Sequence, residues 1–138
     1  MPIKVVIVDD HALVRAVLVD LLNGVDDIDV VATCTDGSEV VQTVARTHPD
    51  VVLMDLQMPK KTGLEATREL LAARPEARVV VLTGDFSRAN ANAAKSAGAV
   101  GFLLKGDDPH DLPEQIRAVA AGGTAWSATA AAALTSRN

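Results

Sequence analysis

Five short apolar runs, mostly β-branched, alternate with five stretches of helical character, and few architectures accept that order. The runs cover residues 4–8, 30–33, 51–55, 77–82 and 101–104. Val51-Val52-Leu53-Met54 carries no alternating polar residue, as a strand buried on both faces requires. Helical stretches lie near 11–23, 38–47, 64–73, 88–97 and 109–121, punctuated by Gly24, Pro49 with Asp50, Pro75, Gly98 and Gly122-Gly123. Repeated strand–helix units predict an α/β fold in which a parallel sheet has helices on both faces. At 138 residues the chain can bury one full core. Residues 124–138 leave the pattern. They are rich in Ala, Ser and Thr, hold the single Trp126, and read as a linker or a short added helix.

Aromatics make up only 2% of the chain, so Val, Leu and Ala must build the core. A net charge of −5 gives no electrostatic footprint for nucleic acid, and any DNA binding must come from another domain. The one cysteine, Cys34, excludes a disulfide framework and reads as a small core residue. No segment is long and apolar enough to cross a membrane. The opening Met1-Pro2-Ile3-Lys4 begins a strand and not a signal peptide, so a cytoplasmic location is expected.

In the first helix, Leu13, Val14, Val17, Leu18 and Leu21 recur at helical spacing, which predicts one core-facing stripe. Ala12, Ala16 and Val19 then fall on the opposite side, where charge is usual, and suggest a homodimer surface.

The ends of the predicted strands carry the chemistry. Asp55 ends the third run, and open α/β sheets bind ligands at the carboxyl ends of their strands. A lone aspartate there reads as a turn or helix cap. Asp9 and Asp10, however, end the first run, Thr83 ends the fourth and Lys105 the fifth. One acid would suffice to cap the first helix. Two adjacent acids facing a third are unfavourable unless a cation bridges them. Mg²⁺ suits such a set, because it takes hard oxygen ligands, few carboxylates and several waters. Beside a cation, Asp55 becomes a nucleophile toward phosphorus, since carboxylates form aspartyl phosphates. Lys105 can offset charge on the transferring oxygens, and the Thr83 hydroxyl can hydrogen-bond one of them.

Val8-Asp9-Asp10, Met54-Asp55-Leu56-Gln57-Met58-Pro59 with Gly63, Leu82-Thr83 and Phe102-Leu103-Leu104-Lys105 occur in an order that resembles the receiver domain of bacterial two-component response regulators. The resemblance spans residues 4 to about 122. Asp9-Asp10-His11, Gly101-Phe102-Leu103-Leu104-Lys105 and Ala118-Val119-Ala120-Ala121-Gly122 resemble the LuxR/NarL/FixJ-like subgroup, whose output is a helix-turn-helix. The fold implied is flavodoxin-like, a three-layer (βα)5 sandwich with strand order 2-1-3-4-5. The implied organisation is a receiver over 1–123, with 124–138 leading toward an output domain absent from this sequence.

The resemblance also implies a role for each residue. Asp55 accepts a phosphoryl group from a histidine kinase. Asp9, Asp10, Asp55 and the backbone carbonyl of Gln57 position Mg²⁺ or Mn²⁺. Lys105 contacts the phosphoryl group, Thr83 moves toward it, and Phe102 switches from exposed to inward. The changed surface then controls a DNA-binding output and transcription, with a phosphorylation-linked homodimer as a further partner state. The chain is thus expected to be a signalling phosphoacceptor, not a turnover enzyme.

Some residues depart from the subgroup. Lys60-Lys61-Thr62 stands where a Gly-containing turn is common and adds positive charge. Gly84 to Asn92 is an unusual loop and helix start, and its asparagines predict a weak fourth helix. Asp85 and Gln57 lie beside the expected path of a hydrolytic water and are expected to influence the lifetime of the phosphorylated state. Three other readings compete. A dehalogenase-type phosphatase needs an acid two residues after the nucleophile, where this chain has Gln57. A flavin-binding protein needs donors, not two acids, after the first strand. The third alternative is a stand-alone receiver or a phosphorylation-independent interaction module.

Overall fold

The computed structural model describes residues 2–84 and 86–135. Its strands are β1 (Ile3–Val8), β2 (Ile28–Cys34), β3 (Val51–Met54), β4 (Val79–Thr83), β5 (Gly101–Leu104) and β6 (Ala125–Trp126). Its helices are α1 (Ala12–Asn23), α2 (Val40–Thr47), α3 (Gly63–Ala73), α4 (Arg88–Ala97), α5 (Leu112–Ala120) and α6 (Ala128–Thr135). The strands pair in parallel in the order β2-β1-β3-β4-β5-β6. The expected order of five strands is present, and one more strand lies beyond β5. That two-residue strand falls in the segment read as a linker or short added helix, and α6 follows it.

Alternation along the strands sorts the core onto two faces. Val5, Ile7, Leu53, Val80, Leu82 and Leu103 meet α1 and α5 through Leu18, Leu22, Leu112, Ile116 and Val119. Val6, Val8, Val52, Met54 and Val79 point the other way, toward Val40 and Val44 of α2 and Ala66 and Leu70 of α3. On that second side a smaller cluster joins Val81 and Phe102 to Ala91 and Ala94 of α4 and Ala130 of α6. β3 lies between β1 and β4, and all four of its residues are buried.

β2 is longer than the run at 30–33 because it is an edge strand: Asp29 faces solvent within it, which interrupts the apolar signal. α4 is well bounded despite its asparagines. The Ser87 hydroxyl accepts the Asn90 N–H, and Gly98 ends the helix at φ 103°.

The α1 stripe is corrected. Leu18 and Leu22 are the buried residues of α1, whereas Leu13 is 78% and Val17 55% exposed. Val19, assigned to the outer side, packs partly against the core. Val14 packs against the core from the same turn as Leu13, so Leu13 and Val17 lie on the flank of the α1 face that buries Leu18 and Leu22. Leu13 and Val17 instead line a groove of about 320 Å³ beside α5.

Candidate functional site

Strand ends at the carboxyl edge of the sheet bring the acids together. The Asp9 N–H donates to the Cys34 carbonyl (3.0 Å), and the Asp55 N–H donates to the Val8 carbonyl (2.9 Å). These bonds continue the ladder past β1 and β3 and fix both aspartates at neighbouring ends. Asp9 is 2% and Asp55 4% exposed, while Asp10 is exposed. Asp9, Asp10, His11 and Asp55 each offer a ligand atom, and those atoms all lie within 4.8 Å of one another.

Lys105 reaches the same point from β5. Its N–H donates to the Thr83 carbonyl (2.8 Å), which holds the ends of β4 and β5 in register. Its Nζ lies 2.7 Å from Asp9 Oδ2 and 3.5 Å from Asp55 Oδ1. Asp55 Oδ2 is buried and has no hydrogen-bond partner among the described residues. A buried oxygen without a donor carries a desolvation cost that a cation or a covalent bond would relieve. Burial and the charge of Asp9 push the Asp55 carboxyl above its ordinary range, and Lys105 opposes them. Clustered carboxylate oxygens, one of them orphaned, are the donor set a hard divalent cation takes.

Thr83 is buried at the end of β4. Phe102, three residues before Lys105, has its ring fully inward and meets the Phe86 ring edge-on at 6.3 Å. Gln57 is exposed, in the loop two residues past Asp55. That loop is tightly closed. The Gly63 N–H donates to the Leu56 carbonyl (2.9 Å), and a Cβ at Gly63 would lie 2.0 Å from the Asp55 carbonyl oxygen. Only glycine fits there. Asp85 lies outside the described residues.

The structure adds three residues to the expected set. His11 Nδ1 lies 3.1 Å from both Asp9 Oδ1 and Asp10 Oδ1. The Arg15 guanidinium donates to the Asp9 carbonyl (2.8 Å) and ties α1 to the end of β1. Asp36, from the corner after β2, accepts N–H groups of the loop beyond Asp55. His11 follows the acid pair directly and could have been suspected from that position. Asp36 offered only a local turn signal.

Acids at the ends of β1 and β3, a lysine at the end of β5 and a buried hydroxyl at the end of β4 define a receiver site. Residues 5–117 match the family described as the response regulator receiver domain, and the chain belongs to that family. The chain is 40% identical over 121 residues to the transcriptional regulatory protein DegU of Brevibacillus brevis, covering 88% of this chain and 51% of the relative. The response regulator GacA of Pseudomonas aeruginosa is 39% identical over 120 residues, covering 87% of this chain and 56% of the relative. A crystal structure of a LuxR-family two-component response regulator from Aurantimonas sp. SI85-9A1 superimposes with a TM-score of 0.92 at 34% identity, covering 97% of this chain and 96% of the other. These likenesses fall in the LuxR/NarL/FixJ-type subgroup. The chain spans about half the length of the curated relatives it matches. No described helix is long and apolar enough to cross a membrane.

Proposed function

We propose that this chain is the phosphoacceptor module of a transcription-regulating two-component system, with Asp55 as the residue that takes the phosphoryl group. The observation that carries the proposal is the state of Asp55: buried, beside Asp9 and Lys105, with one oxygen unpartnered. A carboxylate oxygen so placed attacks the phosphorus of a histidine kinase's phosphohistidine. An O–P bond forms as the N–P bond breaks, and the electron pair goes to the donor imidazole, which takes up a proton. Lys105, already between Asp9 and Asp55, pairs its ammonium with the incoming phosphoryl oxygens.

Asp9, Asp10 and Asp55, with the backbone carbonyl of Gln57, would hold Mg²⁺ or Mn²⁺, which supplies charge neutralisation on the phosphoryl oxygens when bound. The Thr83 hydroxyl and the Phe102 ring then form the switch. Phe102 shares a cluster with Ala91 and Ala94 of α4 and Ala130 of α6, so any displacement of its ring is felt on that face. In this reading residues 1–123 are the receiver, and 124–138 lead toward an output domain that contacts DNA. The acidic receiver itself does not contact DNA, it pairs with a second copy when phosphorylated, and the protein works in the cytoplasm. Gln57 and Asp85 influence how fast the acyl phosphate is hydrolysed.

Intact mass after incubation with Mg²⁺ and a small acyl phosphate tests the proposal. One phosphoryl adduct is expected, absent in Asp55→Asn and absent without a divalent cation. No adduct in a folded chain under any of these conditions would favour a phosphorylation-independent interaction module.

A further inference from the structure

The corner between β2 and α2 grips the loop that follows Asp55. Asp36 is 6% exposed, and both of its oxygens are taken. Oδ1 accepts the N–H groups of Lys60 (3.0 Å) and Lys61 (3.3 Å), and Oδ2 accepts the Ser38 N–H (3.0 Å). Beside it, a Cβ at Gly37 would lie 2.7 Å from the Lys61 carbonyl oxygen, so the two backbones touch. Glu39 braces the corner locally, its Oε1 accepting the N–H groups of Thr35 (2.8 Å) and Asp36 (3.1 Å). The far end of the loop is closed by the bond from Gly63 to Leu56 and by Thr62, whose hydroxyl accepts the Glu65 N–H. Gln57, Met58 and Pro59 therefore lie between two fixed points, with Met58 itself buried. Lys60 and Lys61 drew attention in the sequence for their charge, yet it is their amides that Asp36 holds.

We propose that Asp36 is a positioning residue for the phosphoacceptor loop, holding the backbone at Lys60 and Lys61 so that the Gln57 carbonyl stays aligned with Asp55 at the cation site. The proposal rests on the phosphoacceptor reading. Its physical basis is that groups which orient a ligand without touching the cation control affinity strongly. A loop released at Lys60 can rotate its peptide planes, that of Gln57 among them, so cation affinity falls along with stability.

The full chain tests this through Mn²⁺ affinity, measured from the paramagnetic signal of the free ion. Asp36→Ala is expected to weaken Mn²⁺ binding about tenfold. It should also slow phosphoryl uptake at low cation while approaching the parent rate at saturating cation. Asp36→Asn keeps one accepting oxygen and is expected to fall between the two, with a loss of about two- to threefold and faster hydrogen exchange at Lys60 and Lys61. Glu39→Ala loosens the same corner without touching the loop and should keep the parent's affinity.

Unchanged affinity in folded Asp36→Ala, or an equal loss in Glu39→Ala, would overturn the proposal. Should Asp36→Ala fail to fold, Asp36→Asn carries the decision, and parent-like affinity there overturns it as well. A parent chain that binds Mn²⁺ but accepts no phosphoryl group overturns the phosphoacceptor reading alone, since the Asp36 comparison is still read from affinity.

Discussion

Asp36 and Asp55 sit in neighbouring corners of the molecule and are almost equally buried, yet their surroundings are opposite. Asp36 accepts three backbone N–H groups on its two oxygens. Burial pushes its carboxyl up, but those donors outweigh it and hold the group well below the usual carboxylate range. Asp55 has burial and Asp9 pushing its carboxyl up, with Lys105 as the opposing charge and one oxygen without a partner. Burial alone does not distinguish a structural carboxylate from a reactive one. The number of donors does. A saturated carboxylate is spent on the fold, and an unsaturated one is held ready for a cation or a covalent bond.

The comparison is open to attack by substitution. Removing Asp36 leaves three N–H groups without their acceptor, so Asp36→Ala should lower stability by about 2–3 kcal/mol in a urea titration. A change below the error of that titration would mean that water replaces the carboxylate freely. Mg²⁺ should act at the other corner. At about 100 times its dissociation constant it should stabilise the parent by about 2.7 kcal/mol and raise the melting temperature, while Asp55→Asn should show a much smaller rise. An equal rise in both would move the cation away from Asp55.

Without added cation, Asp55→Asn should be more stable than the parent at pH 7, because it removes a buried charge facing Asp9. Loss of stability in that variant would place Asp55 among the structural acids.

The pH dependence carries the same contrast with opposite signs. The folded pKa of Asp55 is raised above 3.8, so its ionised form costs stability. The advantage of Asp55→Asn should therefore shrink as pH falls through the raised folded value and vanish below 3.8. Asp36 has a lowered pKa, so its contribution is full well above 3.8 and is lost as pH falls toward the folded value. The gap between parent and Asp36→Ala should accordingly close in strong acid. Melting curves from pH 7 to pH 3 read both, and curves moving in the same direction would break the comparison.

Much of this arrangement was legible in the sequence. The stretches at 5–8, 51–54, 79–82 and 101–104 are apolar because their strands are covered on both faces, and each is followed by a polar group of the site. Periodicity was a poorer guide at the periphery. Leu13 and Val17 have core spacing, yet they flank the α1 face on which Val14 and Leu18 reach the core. Strand β6 is two residues long, too short for any period, and it forms because Gly101 and Phe102 offer it an edge. Locally, Asp36 caps the short helical turn at Gly37–Glu39. Its bonds to Lys60 and Lys61 join residues more than 20 positions apart, and no local pattern encodes such a contact.

Borohydride reduction after acyl phosphate treatment tests the central contrast most directly, because it converts an aspartyl phosphate into homoserine that peptide mapping can place. Homoserine is expected at position 55 alone, with positions 9, 10 and 36 unmodified. Homoserine at Asp36, at either member of the acid pair, or at no position in a folded chain would contradict it.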